Sequence, residues 1–209
     1  MKKIIGIIDY EMGNLFSVTQ ACKKIGLEVQ VVKDFKVLKN FDAIILPGVG
    51  SFKTAVENIH KLGLYNEIVN FSKEKPVMGI CLGFQLLFDS STEFGKTKGL
   101  GIVKGQIVKF NKSKVPRIPH MGWNTLSYIN HYPDNPLRGI EKDELYFVHS
   151  YFAETDDQNI ILSKTKYEDF EFISSIQWKN VFGTQFHPEK SGEVGLNIYK
   201  NWAEIHNLL

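Results

Sequence analysis

A cysteine between two glycines is the arrangement in this sequence best suited to covalent chemistry. Cys81 follows the short apolar run at residues 77–80 and lies between Gly79 and Gly83. An amphipathic run follows at once, so the pattern predicts a strand, a sharp turn and a helix. Such a turn strains the backbone of its central residue, and the flanking glycines avoid clashes. The helix that follows favours a thiolate over a thiol, which indicates a nucleophile rather than a buried structural cysteine.

His187 is the histidine best placed to activate this thiolate. A nucleophile needs a base, and the base needs a group that orients it. His187 comes just past an apolar strand, where open α/β sheets bind their ligands. Glu189 is two residues further on, across a proline that stiffens the turn. A carboxylate there accepts the imidazole N–H and fixes the tautomer, so we predict a triad of Cys81, His187 and Glu189.

The other five histidines are weaker candidates for the base. His60 and His206 fall on predicted helical faces and His131 lies in a polar loop, which indicates solvated side chains. We interpret His120 and His149 as hydrogen-bonded structural histidines.

Acyl transfer also needs N–H donors for a developing oxyanion. The backbone N–H of Leu82, directly after Cys81, is one candidate, and the glycine-rich loop at residues 47–50 offers a second. That loop lacks the further glycine and the Gly-Lys-Ser/Thr sequence of nucleotide-binding loops, so a phosphate cradle is a weak interpretation. The order of the triad argues against an α/β-hydrolase, in which the acid precedes the histidine.

The composition is that of an ordinary globular protein. The 209 residues are 43% hydrophobic and 23% charged, which fits one domain over residues 1–209. A net charge of +2 gives no reason to expect binding to nucleic acid or to a membrane surface, and no apolar run approaches the ~20 residues that span a bilayer. Cys22 and Cys81 have no metal-ligand spacing, so we expect no metal site, no disulfide framework and a reducing, cytoplasmic location.

The first hundred residues alternate between short apolar runs and amphipathic stretches. We predict strands at residues 4–9, 29–32, 42–46 and 77–80, and helices at residues 15–25, 52–60 and 64–73 and after the cysteine turn. Asn14 is the predicted N-cap of the first helix, and Gly26 its C′ residue. Strands that alternate with helices indicate βαβ units, and therefore an α/β fold with an open, mostly parallel sheet flanked by helices.

The pattern changes after about residue 100. Short β-rich runs occupy residues 105–110, 145–151, 160–167, 172–178 and 181–186, and their spacing predicts hairpins. We therefore expect an antiparallel extension in the second half rather than a new domain. A closing amphipathic helix is predicted at residues 195–206.

The motifs together resemble those of the class I (triad) glutamine amidotransferases, a flavodoxin-like fold. The stretches that carry this resemblance are residues 47–50, 79–85 and 187–189. Within that family the chain is similar, nearly end to end, to the glutaminase subunit of imidazole glycerol phosphate synthase. The stretches that carry the closer resemblance are residues 9–14, 119–124, 146–151 and 187–191.

The resemblance implies a reaction and a set of roles. Cys81 would attack the side-chain amide of glutamine, ammonia would leave, and water would hydrolyse the glutamyl thioester to glutamate. His187 would move the protons, Glu189 would orient it, and no cofactor is implied. The residues that would hold glutamine, the last two through backbone groups, are Gly50, Gln85, Ser150 and Tyr151. Val49 would add an oxyanion N–H that is correctly aimed only in the active state.

The resemblance also implies a partner, a (β/α)8-barrel cyclase that takes up the ammonia and makes imidazole glycerol phosphate in histidine biosynthesis. A barrel needs ~200–250 residues of its own, so the cyclase must be a separate chain. The residues that match partner-facing positions are Asn14, Trp123, Tyr146 and Lys190. From the residues alone, ordinary aromatic packing and a solvated lysine remain alternatives.

The sequence departs from the family pattern at two positions, neither of which touches the triad, and other interpretations stay open. Glu11 stands where a glycine is more usual, close to the expected interface, and Phe84 stands where a methionine is. One alternative is a paralogous glutaminase that feeds a sugar amidotransferase in surface-polysaccharide biosynthesis. Another is a catalytically idle regulatory subunit, against which the intact triad argues.

Overall fold

The computed structural model describes residues 2–115, 117–130 and 132–209. The helices are α1 (Leu15–Lys24), α2 (Phe52–Lys61), α3 (Leu64–Glu74), α4 (Leu82–Leu86) and α5 (Gly192–Ile205). The strands of the first half are β1 (Ile4–Ile8), β2 (Glu28–Val32), β3 (Ala43–Gly48), β4 (Val77–Cys81), β5 (Ser90–Ser91) and β6 (Thr97–Lys98). Those of the second half are β7 (Gln106–Lys109), β8 (His120–Asn124), β9 (Tyr128–Ile129), β10 (Leu145–His149), β11 (Tyr151–Glu154), β12 (Ile161–Tyr167), β13 (Phe170–Trp178) and β14 (Val181–Thr184). Short 3₁₀ helices cover Phe35–Asn40, Gln158–Ile160 and Pro188–Lys190.

One large sheet runs through the described part of the chain, in the order β2-β1-β3-β4-β14-β13-β11-β7-β5-β6. The strands from β2 to β14 are parallel neighbours. From β14 to β7 the neighbours are antiparallel, and β12 pairs with β13 as a hairpin. The open, mostly parallel sheet with an antiparallel extension is therefore confirmed.

Helices cover both faces of the parallel half. Side chains of β1 alternate between two cores, because successive residues of a strand point to opposite faces. Ile7 belongs to the core that α1 and α5 cover, whereas Ile8 belongs to the core that α2 and α3 cover. Within the described residues, no helix combines the length and the apolar character needed to cross a bilayer.

Both predicted ends of the first helix are present. The side chain of Asn14 accepts a hydrogen bond from the N–H of Ser17 at 3.2 Å, which is the geometry of an N-cap. Gly26 follows the C-cap residue with φ 88°, in the left-handed region that glycine favours. These local signals fix where α1 begins and ends.

The structure corrects three expectations in the second half. The single strand predicted at residues 145–151 is two strands, since β10 pairs with β8 in a separate two-stranded sheet and β11 pairs with β7 in the large one. We call the first pair the β8–β10 ribbon. β14 also does more than close a hairpin, because it pairs in parallel with β4 and so belongs to the parallel half. Finally, α5 begins at Gly192 rather than at residue 195.

Candidate active site

The turn at Cys81 is as sharp as the two glycines predict. β4 ends at Cys81 and α4 begins at the next residue, with Cys81 at φ 53° and ψ −104°. This is a strained conformation for a residue with a Cβ atom. A Cβ at Gly83 would lie 1.7 Å from the carbonyl oxygen of Leu46, and one at Gly79 would lie 2.9 Å from that of Gly83. The backbone segments approach so closely that neither glycine can carry a side chain.

His187 and Glu189 lie just beyond the end of β14, the neighbour of β4. The Nδ1–H of His187 donates to Oε1 of Glu189 at 2.7 Å, and both side chains are at most 2% exposed. The backbone N–H of His187 donates to the carbonyl of Tyr146 at 2.9 Å. Nε2 of His187 makes no hydrogen bond within the described residues, so this nitrogen is left for the pocket.

Cys81 and His187 line the same pocket and interact electrostatically. Burial lowers the pKa of the imidazole, but the neighbouring Cys81 and the carboxylate of Glu189 outweigh burial and raise the pKa of His187 to about 10. The ring is therefore protonated at neutral pH. An imidazolium beside sulfur is the arrangement in which a thiolate acts as a nucleophile.

We expect Cys81→Ala to lower the pKa of His187. Cys81 is the strongest of the groups that raise this pKa to about 10, and the variant removes it. An opposite charge at contact distance shifts a pKa by ~1–3 units. Between the two pKa values the wild-type ring is charged and the variant ring is neutral, and a pH titration of the histidine NMR signals measures this. Cys22→Ala is the matched control. An unchanged pKa of His187 in Cys81→Ala would contradict the electrostatic interaction between the two side chains.

A pocket of about 320 Å³ opens in front of Cys81, a size typical of small-molecule sites. It is lined by all the residues that the sequence analysis proposed for glutamine and for the oxyanion, namely Val49, Gly50, Leu82, Gln85, Ser150 and Tyr151. Four further residues line it that the sequence analysis had not placed there: Glu93, Pro119, Val148 and His149. The structure thus brings together residues from widely separated stretches of the chain.

Gln85 is held in place on the pocket wall. Its Nε2 donates to the carbonyl of Tyr151 at 3.1 Å and to Oε1 of Gln185 at 3.0 Å. Gln185 is fully buried, and its own Nε2 lies 3.7 Å from Sγ of Cys81. Gln185 was not predicted as a site residue, although its position two residues before His187 places it at the same end of the sheet.

The glycine-rich loop at residues 47–50 is tied to the loop that follows β1. The N–H of Val49 donates to the carbonyl of Met12 at 2.8 Å. The hydroxyl of Tyr10 donates to the carbonyl of Pro47 at 2.5 Å. Because the N–H of Val49 is already engaged, it is not available to an oxyanion in this structure.

Three of the four residues that match partner-facing positions form one surface cluster. The rings of Trp123 and Tyr146 lie 5.7 Å apart, and Nζ of Lys190 lies 5.6 Å from the centre of the Tyr146 ring. Trp123 is 54% exposed, and the Tyr146 ring lies 6.5 Å from that of His187. Asn14, in contrast, is the N-cap of α1. The cluster therefore lies directly outside the buried histidine.

The two histidines predicted on helical faces and the second cysteine do not line the pocket. His60 is exposed, as expected, but His206 is half-buried rather than solvated, because it packs on the ring of Trp202. His131 lies outside the described residues. Both cysteines are free, and burial raises the pKa of the Cys22 thiol to about 12, which leaves it unreactive.

Comparison with known proteins agrees with this geometry. The family Glutamine amidotransferase class-I matches residues 6–204. The imidazole glycerol phosphate synthase subunit HisH of Caldanaerobacter subterraneus subsp. tengcongensis is 48% identical over 205 residues, which cover 97% of this chain and 98% of that protein. The subunit HisH of Geobacillus sp. (strain WCH70) is 45% identical over 210 residues, 97% of each chain. A crystal structure of a glutamine amidotransferase covers 97% of this chain and 98% of its own, with a TM-score of 0.76 at 16% identity, and shows the fold alone. The chain belongs to the class I glutamine amidotransferase family.

Proposed function

We propose that this chain is the glutaminase subunit of an imidazole glycerol phosphate synthase. It hydrolyses L-glutamine and delivers the ammonia to a separate (β/α)8-barrel cyclase in histidine biosynthesis. The observation that carries the catalytic part is that Cys81 and His187 line one pocket while Glu189 is hydrogen-bonded to the far side of the His187 ring. The similarity to HisH proteins of nearly equal length supports the pathway. Their biosynthetic role also favours the cytoplasm, with residues 1–209 acting as one domain.

The reaction proceeds through a covalent intermediate. The Cys81 thiolate attacks the side-chain carbonyl carbon of glutamine, and the imidazolium of His187 gives its proton to the departing amide nitrogen, so ammonia leaves. The neutral imidazole then takes a proton from water, which attacks the glutamyl thioester and releases glutamate. Glu189 holds Nδ1–H throughout, so Nε2 is the nitrogen that moves protons.

The pocket wall supplies the groups that a bound glutamine needs. Gly50, Gln85 and the backbone of Ser150 and Tyr151 hold the substrate, and all of them line the pocket. Glu93 is the one carboxylate among the residues described as lining it. Since the α-ammonium group of glutamine needs an anionic partner, we assign this contact to Glu93.

The oxyanion site is incomplete in the isolated chain. The N–H of Leu82 lies at the start of α4, directly after the nucleophile. The N–H of Val49 is the second donor, but it is bonded to the carbonyl of Met12 at 2.8 Å. We propose that the partner releases this bond, so that glutamine is hydrolysed only when its ammonia can be used.

We therefore expect the isolated chain to hydrolyse glutamine ~10²–10³-fold more slowly than the complex, the usual cost of one missing oxyanion donor. The measurement is glutamate release by the chain alone and after saturation with the cyclase. Full activity of the chain alone would contradict the proposal that Val49 is held in an inactive position.

The partner is proposed to bind over the cluster of Trp123, Tyr146 and Lys190 and over Asn14. The Tyr146 ring of this cluster lies 6.5 Å from that of His187, which suits a partner that receives ammonia from this pocket and controls its activity. Trp123 is an exposed aromatic residue of the kind enriched in interfaces.

The experiment that tests the proposed function is co-purification from the native host, identification of the bound chain, and assay of that complex. A barrel cyclase that makes imidazole glycerol phosphate from glutamine is the expected result. A sugar amidotransferase in its place would favour the surface-polysaccharide alternative. A complex that uses free ammonia but never glutamine would support the idle regulatory subunit.

A further inference from the structure

Two buried histidines next to the pocket have no part in the mechanism described so far. His120 begins β8 and His149 ends β10, and the two residues are directly opposite in the β8–β10 ribbon. They are 3% and 6% exposed. Nδ1 of His120 lies 3.1 Å from Nε2 of His149, so one ring donates a hydrogen bond to the other.

The hydrogen bond between His149 and Tyr151 determines which ring nitrogen of His149 carries the hydrogen. Nδ1 of His149 lies 2.8 Å from the backbone carbonyl of Tyr151. A carbonyl oxygen can only accept, so Nδ1 of His149 carries the hydrogen. Nε2 of a neutral His149 is then bare and accepts from Nδ1–H of His120.

The neighbour of His120 on its other side independently indicates the same direction for the hydrogen bond between the two rings. Nδ2 of Asn124 lies 3.3 Å from Nε2 of His120. The orientation of the Asn124 amide is set by the backbone, because Nδ2 donates to the carbonyl of Lys166 at 2.8 Å and Oδ1 accepts from the N–H of Thr125 at 2.8 Å. An amide nitrogen can only donate, so Nε2 of His120 is bare and its hydrogen is on Nδ1.

The hydrogen bonds from Asn124 through His120 and His149 to Tyr151 form a continuous chain, which we call the histidine chain. It has no acceptor left for an additional proton. A proton on Nε2 of His149 would point at Nδ1–H of His120, and a proton on Nε2 of His120 would point at the amide of Asn124. Burial lowers the pKa of His120 to about 4. At His149, burial outweighs the hydrogen bond to Tyr151 and, with the neighbouring rings of His120 and His187 adding to it, lowers the pKa to about 3. Both rings are therefore neutral, each with its hydrogen on Nδ1.

The histidine chain ends at the backbone carbonyl of Tyr151, a residue of the pocket wall. The carbonyl of Tyr151 accepts from Nδ1–H of His149 at 2.8 Å and from Nε2 of Gln85 at 3.1 Å, and both Tyr151 and Gln85 line the pocket. The turn from β10 to β11, at Ser150, lies between His149 and Tyr151. The orientation of this turn is therefore set by the hydrogen bond from His149, in the β8–β10 ribbon, to the carbonyl of Tyr151.

From this geometry we propose that His120 and His149 are positioning residues: as a neutral chain from Asn124 to Tyr151, with both rings protonated on Nδ1, they hold the glutamine-binding backbone at Ser150 and Tyr151. The inference rests on the proposed function, since it takes the pocket to bind glutamine. His120 acts only through His149 and does not line the pocket.

The first test is the protonation state of both rings in the full-length chain at neutral pH. Nitrogen NMR of the protein with ¹⁵N-labelled histidine rings distinguishes protonated from bare ring nitrogens. We expect Nδ1 protonated and Nε2 bare in both residues. A hydrogen on Nε2 of either ring would overturn the proposed chain whatever the substrate is.

The second test is kinetic and uses the complex with the cyclase. His120→Leu removes the donor to His149, so the backbone at Tyr151 loosens; we expect KM for glutamine to rise about tenfold with kcat unchanged. In His120→Asn the side-chain amide lies where Nδ1 was and restores the donor, so KM should return close to the wild-type value. Phe172→Leu is the matched control, because Phe172 packs on both rings without joining the chain.

The outcomes separate this inference from the proposed function. Glutamine hydrolysis by the wild-type complex with an unchanged KM in His120→Leu would overturn the inference alone. An equal rise in KM in Phe172→Leu would also overturn it, because packing rather than the hydrogen bond would then be responsible. Absence of glutamine hydrolysis by the wild-type complex would overturn the proposed function, and the inference with it.

Discussion

Cys81→Ala is expected to abolish glutamine-dependent synthesis by the complex while ammonia-dependent synthesis continues at the wild-type rate. Without sulfur there is no thioester, and loss of the nucleophile in a triad typically costs ~10⁶-fold. The partner's own reaction is untouched, because free ammonia replaces the ammonia that this chain delivers. The measurement is the rate of imidazole glycerol phosphate formation from glutamine and, separately, from an ammonium salt.

Cys22→Ala provides the matched control for that variant. Cys22 is buried within the core that α1 and α5 cover and does not line the pocket, so both activities should persist. If Cys81→Ala lost both activities equally in a folded complex, glutamine hydrolysis and synthesis would not be divided between two chains as proposed. If glutamine still supported synthesis, Cys81 would not be the nucleophile.

Gly83→Ala should be the most destabilising single methyl addition at the elbow. The new Cβ would lie 1.7 Å from the carbonyl oxygen of Leu46 on β3, and backbone on both sides leaves nothing flexible to move aside. Overpacking of a core commonly costs ~1–3 kcal/mol, and we expect the upper end or more. For a chain of this size that lowers the midpoint of thermal unfolding on the order of 10 °C.

Gly26→Ala is the control that separates the clash from the effect of adding a methyl group to a glycine. Gly26 has φ 88°, yet a Cβ there meets no atom within 4 Å. The variant should therefore show only the cost of a left-handed residue, ~1–2 kcal/mol. Failure of Gly83→Ala to fold while Gly26→Ala folds would agree with the structure. Equal melting temperatures for the two variants would contradict the close approach of the elbow to β3.

The parts of the fold that could be predicted are those with short-range signals. The turn at Cys81 follows from Gly79 and Gly83, and the cap of α1 follows from Asn14, because in each case the deciding contacts lie within a few residues. The β8–β10 ribbon could not be predicted in this way. The run at residues 145–151 has the pattern of one strand. Only its pairing partners divide it at Ser150, and they lie 21–29 residues away in the sequence for β10 and 42–48 residues away for β11.

The candidate site shows the same division. His187 and Glu189 are two residues apart, so their contact could be anticipated from the sequence. The contact between Gln85 and Gln185 joins residues 100 positions apart, and no local pattern indicates it. The hydrogen bond from Val49 to Met12 depends on how two loops meet. The sequence identified the loop that contains Val49, but only the structure could give the direction of its N–H.

Covalent labelling of the complex shows whether Cys81 is a nucleophile that His187 activates. The complex is incubated with an electrophilic analogue of glutamine, and the modified peptides are identified by mass spectrometry. We predict one adduct per chain, on Cys81, slowed by glutamine and nearly absent in His187→Asn. If Cys81 stays unlabelled, it is not the nucleophile. If labelling is equally fast without the imidazole, His187 does not activate it.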